Sequence, residues 1–274
     1  MLHPVENSVL VAIFEDRLQP PVNLAHGEPQ GSDRVNHHVK ANFFEFFSVQ
    51  QSALAKFGHI GQQWNADGGP DCLELRFAFQ GLGEDHIGTG IDMSQLFSEQ
   101  ANRRAEELKV TDRVEFIHDD AAGYVADKKV GVAACLGATW IGGGVAVTIH
   151  LLAKSLRTGG IILIGEPYWL KLPPTEEVAK GCQASSIADF LLLPDLLAFF
   201  ADLEYDVVEM VLADQNSWDR YEAAKWLTMR RWLEANPDDD FAEEVRAQLT
   251  SEPKRYTAYT REYLGWGVFA LMAR

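Results

Sequence analysis

Cysteine is scarce in this chain. Its three cysteines, Cys72, Cys135 and Cys182, lie far apart, and no two form a Cys-x-x-Cys pair. That rules out a disulfide framework and the paired zinc-binding spacings, and it points to a reducing compartment. Long apolar runs are missing as well. No stretch reaches the ~18 residues a membrane span needs, and the N-terminus lacks the basic-then-apolar order of a secretory leader. The reading is a cytoplasmic protein with no membrane partner. Positive charge is also in short supply: 24 basic residues stand against 40 acidic ones, for a formal charge of −16. A surface that tracks phosphates needs the opposite balance, which argues against DNA or RNA as substrate. The acids are dispersed except at Asp238–Asp240, a run that reads as a solvated helix start.

What is present is a globular composition, 47% hydrophobic with 23% charged residues. Residues 1–60 read as an arm, with a candidate strand at Ser8–Phe14 and a helical pattern at Val39–Phe57. Residues 61–274 read as the main domain, with a helical insert at about 214–264. From Gly88 the order becomes regular. "GTGID" predicts a strand, and Ser94 then caps a helix whose buried stripe is Leu96, Phe97, Ala101, Ala105 and Leu108. "RVEFIHDD", "VGVAACLGATW" and "IILIGEP" predict three further strands, the last two nearly continuous in apolar residues, as strands covered on both faces are. A helix at "GVAVTIHLLAKSLRTGG" is stopped by Gly159 and Gly160, and another opens with Pro194 in its first turn. "YDVVEMVLA", a helical block from Trp218 to Thr250, and the closing strand "GWGVFALMAR" complete the chain. This alternation predicts an α/β fold with a doubly wound, mostly parallel sheet.

Ligands of open α/β sheets sit beyond the carboxyl ends of the strands, so the residues just after each strand carry the functional reading. These are Asp92, then Asp119 to Ala122, then Leu136 to Trp140, then Glu166 to Trp169. A carboxylate at Asp92 can accept both hydroxyls of a ribose. One at Asp120 can accept an exocyclic adenine amine. Small residues at Gly137 and Ala138 leave room for a reacting centre, and aromatic rings can flank a cation.

The motifs "GTGIDMS", "DRVEFIHDDAAGYVA", "ACLGATWIGGG", "SLRTGGIILIGEPYW", "YDVVEMVLADQ" and "DRYEAAKWLTMRRWLEANPDD" resemble a bacterial subgroup of class I S-adenosylmethionine-dependent methyltransferases. "LRTGG" is similar to that family's Leu-x-Pro-Gly-Gly turn, and the last two strands resemble its terminal antiparallel hairpin. The resemblance implies a Rossmann-like methyltransferase fold and S-adenosylmethionine as cofactor. It also implies Asp92 for the ribose, Asp120 with Ala121 for the adenine, and Leu136 beside the cofactor. Met93 and Gly137 complete that set.

One expected feature is absent. The family carries an Asp/Glu-x-Gly-x-Gly-x-Gly run after its first strand, because only glycine lets the backbone lie against the cofactor's methionine part. No such run occurs here. In one reading Cys72–Gln80 is the first strand. In the other, which keeps the parallel topology, Asp67–Asp71 is a degenerate loop and the strand lies near Phe57–Trp64. A third is that the segment upstream of Asp85 is a shifted reading frame.

For catalysis the expected base is Glu166 or Tyr168, with a small-molecule acceptor roofed by Trp140, Trp169, Trp226 and Arg230. Two rivals stand beside this reading. One is a catalytically silent methyltransferase-like protein. The other is a nicotinamide-dependent oxidoreductase that uses Gly81-x-Gly83 as a phosphate loop, which absence of the terminal hairpin would favour.

Overall fold

The structure is a computed structural model that describes residues 11–16, 86–93 and 95–274, the first of these as a strand of backbone. The predicted features at Val39–Phe57, Phe57–Trp64, Asp67–Asp71, Cys72–Gln80 and Gly81-x-Gly83 lie outside the described residues. So do the Ser94 cap and the side chains of Leu96 and Phe97.

Among the described residues, seven strands form one sheet in the order β3-β2-β1-β4-β5-β7-β6. They are β1 (Val11–Asp16), β2 (His86–Asp92), β3 (Val114–His118), β4 (Val130–Leu136), β5 (Leu156–Trp169), β6 (Tyr205–Leu212) and β7 (Leu264–Ala273). β2 pairs in parallel with β3, and β4 with β5. β7 pairs antiparallel with both β5 and β6, wedged between them. The strands β2 to β6 therefore share one direction, while β1 and β7 oppose it. The closing antiparallel hairpin, whose absence would favour a nicotinamide-dependent oxidoreductase, is present.

The central slot is the surprise. It lies between β2 and β4, and Val11–Asp16 fills it antiparallel to both neighbours. The Ser8–Phe14 reading found this strand but not its place. An antiparallel strand satisfies both neighbours' backbone groups as fully as a parallel one would, and a long return connection lets the chain enter from either rim. Val11 stands opposite Ile91 and Cys135, so β1 begins at the rim where β2 and β4 end. Its last residue, Asp16, stands opposite His86 at the other rim.

Helix α1 (Gln95–Glu107) follows β2, α2 (Val145–Ala153) follows β4, and α3 (Glu176–Gly181) and α4 (Leu193–Asp202) both lie between β5 and β6. α2 and α4 bury Ile149, Leu152, Leu196 and Phe200 against Ile91, Cys135, Ile162, Ile164 and Phe269 of the sheet. Each fully buried side chain of this kind contributes roughly 1.5–3 kcal/mol. The predicted helical block is two helices, α5 (Gln215–Ala235) and α6 (Ala242–Arg255), broken at Pro237. The Asp238–Asp240 run leads into α6, where Asp239 Oδ1 accepts from the Phe241 N–H at 2.9 Å. α6 carries Pro253 and relaxes into a π turn, Tyr256–Thr260, before the short α7 (Arg261–Tyr263). α5 and α6 share a core of Met229, Trp232, Leu233 and Val245. No helix among the described residues is long and apolar enough to cross a membrane.

Candidate active site at the carboxyl rim of the sheet

Asp92 and Asp120 stand at the same rim. Asp92 closes β2 opposite His118 of β3, and the Asp119 N–H donates to its carbonyl at 3.1 Å. Asp92 is buried, whereas Met93 beside it is 39% exposed. His118 Nε2 lies 2.8 Å from the Met93 carbonyl, fixing that turn to β3. Two residues on, Asp120 Oδ1 accepts from the Ala122 N–H at 2.8 Å and opens a short 3-10 turn, Ala121–Gly123, in which Ala121 is buried. One oxygen of Asp120 thus acts as a cap, and the other takes no protein donor among the described residues. Both carboxylates are hydrogen-bond acceptors, as a ribose diol and an exocyclic amine require, so this pair of acceptors fits an adenosine.

The next two strand ends build a different chemistry. β4 ends at buried Leu136, opposite Gly165 of β5. The loop that follows folds into a 3-10 turn, Thr139–Gly142, held by the Thr148 hydroxyl, which donates to the Thr139 carbonyl at 2.7 Å. The Thr139 hydroxyl then donates to Glu166 Oε2 at 2.8 Å. Burial raises the Glu166 carboxyl to about 7 against the pull of that hydrogen bond, which lowers it. Neighbouring Cys135 is fully buried, and burial followed by the Glu166 charge pushes its thiol up to about 12. The carboxyl therefore changes charge near neutrality while the thiol stays protonated.

Glycines fit the rim together. In the β5–β7 register Glu166 faces Gly267, and Tyr168 faces Gly265. A Cβ at Gly265 would lie 2.5 Å from the Tyr168 ring, so that ring occupies the space above the glycine and Tyr168 is only 3% exposed. On the opposite face of β7 the Trp266 indole lies against Gly137, where a Cβ would come within 2.8 Å of it. Gly137 also adopts φ 73°, which glycine alone takes without cost. The space expected to remain open above Gly137 is thus filled by Trp266.

The expected roof residues separate. Trp140 is 49% exposed beside the Thr139 turn. Trp169 is fully buried, donates from Nε1 to the Ile187 carbonyl at 2.8 Å and meets Phe190 edge-on. Trp226 lies on α5 against Tyr256, with ring centroids 5.9 Å apart. Arg230 is on an exposed face of α5, paired with Glu234 at 2.8 Å. Sequence reasoning passed over three residues that shape this region: Thr139, Trp266 and Asp219. Asp219 of α5 accepts from Tyr256 Oη at 2.6 Å, Arg261 Nε at 3.0 Å and Gln215 Nε2 at 3.1 Å, tying α5 to the chain that enters β7. The signal for Trp266 was legible in the Gly-Trp-Gly alternation of β7. The other two carry no sequence mark.

Known proteins share this fold. A methyltransferase from Geobacter sulfurreducens that depends on S-adenosylmethionine, solved with S-adenosyl-L-homocysteine, is 78% identical. It superposes with a TM-score of 0.66 over 69% of this chain and 76% of its own. Its counterpart from Thiobacillus denitrificans, solved with the same compound, is 74% identical with a TM-score of 0.66 over the same shares. The chain belongs to the class I S-adenosylmethionine-dependent methyltransferase family. The uncharacterized protein YjhP of Escherichia coli K12 is 71% identical over 228 residues, which span 80% of this chain and 91% of YjhP. Residues from Gly88 onward make up little more than two thirds of the methyltransferase chain, so the likeness to YjhP does not stop at Asp85. No family profile matches the chain.

Proposed function

We propose that the protein transfers a methyl group from S-adenosylmethionine to a small-molecule acceptor, in the reducing environment of the cytoplasm. The observation that carries this reading is the ordered rim: two carboxylates at the ends of β2 and β3, then a buried carboxyl at β5 that titrates near neutrality. Asp92 accepts from the ribose hydroxyls, with Met93 beside it. Asp120 accepts from the adenine amine against Ala121, and Leu136 flanks the cofactor's centre. Bound S-adenosylmethionine supplies an electrophilic methyl on a sulfonium.

The chain's own task is to align the acceptor, exclude water and remove a proton. Glu166 is the base in this reading, because burial gives it an affinity for protons matched to neutral pH, and Thr139 fixes the oxygen that acts. Tyr168, whose ring is packed over Gly265, serves to hold that strand end. Trp140, exposed at the rim, is the acceptor contact beside Glu166, while α5 with Trp226 roofs the site. Trp169 and Arg230 act through packing and surface charge. The dispersed acids and the enclosed lid support a small acceptor over a nucleic acid.

Calorimetric titration with S-adenosyl-L-homocysteine tests the cofactor half, and mass spectrometry of acceptor panels incubated with S-adenosylmethionine tests the transfer. Saturable heat is expected at micromolar ligand. One observation favours a second reading, a silent relative: β1 runs antiparallel, so the loop after it leaves from the wrong rim for a glycine cradle. No heat at millimolar ligand would decide for the silent relative.

A further inference from the structure

α5 carries Trp218, Glu222 and Trp226 at four-residue spacing, so the three follow one face of the helix. The indole nitrogens of both tryptophans and Glu222 Oε2 are buried, and none has a hydrogen-bond partner among the described residues. Glu222 itself is only 4% exposed. Native proteins leave few polar atoms in this condition, and three along one helix face mark a place where a ligand supplies the partners.

The same face already holds one ammonium. Lys225 Nζ lies 2.7 Å from Glu222 Oε1 and 4.9 Å from the centroid of Tyr221, whose ring stacks on Trp218 at 5.8 Å. A carboxylate oxygen and an aromatic ring thus hold a cation between them. Glu222 Oε2, on the helix face that also carries Trp218 and Trp226, offers the same chemistry to a second cation. The face also reaches the rim: Trp218 packs against the cluster that holds Leu264 of β7 and Trp169 of β5, the latter three residues beyond Glu166.

We infer that this face recognises the methyl acceptor, and that the acceptor is a small protonated amine with oxygen acceptors on neighbouring carbons. The inference rests on the methyl-transfer reading. The ammonium donates to Glu222 Oε2, and the ligand's oxygens accept from the Trp218 and Trp226 N–H groups. The formal charge of −16 draws such a cation to the protein.

The test is a titration of the full chain, with and without S-adenosyl-L-homocysteine, read by tryptophan emission and calorimetry. Ethanolamine and 2-amino-1,3-propanediol are compared with their neutral analogues ethylene glycol and glycerol. The amines are expected to bind at least about tenfold more tightly than the neutral pair, as a charge-assisted bond gives. Glu222→Gln should erase that preference, and Trp226→Phe should weaken amine binding about three- to tenfold. If Glu222→Gln does not fold, Lys225→Met serves instead: it frees Oε1 and should tighten amine binding. Equal binding of amines and neutral analogues overturns the proposal. So does wild-type binding in folded Glu222→Gln, unchanged binding in Lys225→Met, or no response to either amine while S-adenosyl-L-homocysteine still binds. Amine binding without any binding of S-adenosyl-L-homocysteine would instead sink the methyl-transfer reading and leave the amine site standing.

Discussion

The Thr139 hydroxyl donates to Glu166 Oε2 across 2.8 Å, and the same threonine's carbonyl is held by Thr148 at 2.7 Å. The base is therefore oriented by a turn that is itself pinned to α2. Removing the hydroxyl removes the one hydrogen bond that draws the Glu166 proton affinity down. Thr139→Val is expected to move the acidic limb of the activity profile upward by about one pH unit, and to cost about tenfold in kcat at pH 7. Thr139→Ser should restore both. A pH–rate series on the three proteins checks this, and an unmoved limb would count against any positioning role.

Glu166 also ties stability to pH. Its folded-state affinity is raised to about 7 from the ordinary carboxylate range, so the folded state holds the proton more tightly than the unfolded chain does. Wild-type stability then falls as pH rises from that range through about 7, because a buried charge must form. Glu166→Gln never forms it. The variant should match wild type at pH 4 and exceed it at pH 8.5 by up to about 3 kcal/mol, measured by chemical denaturation at both pH values. Its methyl-transfer rate should drop about 10²- to 10⁴-fold, as loss of a general base does.

How far the sequence carried this differs by element. β4, β5 and β7 were legible because each carries a nearly continuous apolar stretch, the mark of a strand covered on both faces, and β2 because "GTGID" opens the regular alternation of strands and helices. The hairpin was legible through the resemblance of the last two strands, "YDVVEMVLA" and "GWGVFALMAR", to the methyltransferase family. β1 was not. Its six residues pair with β2, 70 to 80 positions away, and four of them also with β4, 118 to 124 away, and their direction depends on a connection that periodicity does not encode. The same limit hid Thr139 and Asp219, whose partners Glu166 and Arg261 are 27 and 42 positions distant. Gly137 was read as space for a ligand. The structure instead shows a glycine required by an indole, since alternation places Trp266 on the face where Gly137 and Gly165 leave room.

That contact gives a sharp packing test. A Cβ at Gly137 would sit 2.8 Å from Trp266 Cη2, in a backbone conformation with φ 73°. Gly137→Ala combines strain at positive φ with a ring that must move, and should destabilise by roughly 2–4 kcal/mol. Gly123→Ala, where a Cβ meets nothing within 4 Å, is the control and should leave the melting temperature nearly unchanged.

Asp219 governs the lid. Arg261, then Tyr256, hold its carboxyl below the usual carboxylate range. A depressed acid contributes stability above its unfolded-state value and loses it as pH falls through the folded one. Asp219→Asn should therefore loosen α5 and the π turn at neutral pH, with the difference from wild type fading in acid. Hydrogen exchange should show faster exchange confined to Gln215–Ala235 and Tyr256–Thr260. Uniform loss of protection across the sheet would mean that the network supports the whole fold.

Asp120 carries two roles that one pair of variants separates. Its Oδ1 caps the Ala121–Gly123 turn through the Ala122 N–H. Asn keeps that acceptor oxygen, but it presents an NH₂ where the proposed adenine amine donates. Ala loses both. Asp120→Asn should keep stability within about 0.5 kcal/mol while weakening S-adenosyl-L-homocysteine at least about tenfold. Asp120→Ala should lose the same affinity and a further ~1 kcal/mol of stability. Calorimetry and thermal melts measure the two effects independently. Undiminished affinity in Asp120→Asn would leave Asp120 a cap alone, and the adenine would need another acceptor along β3.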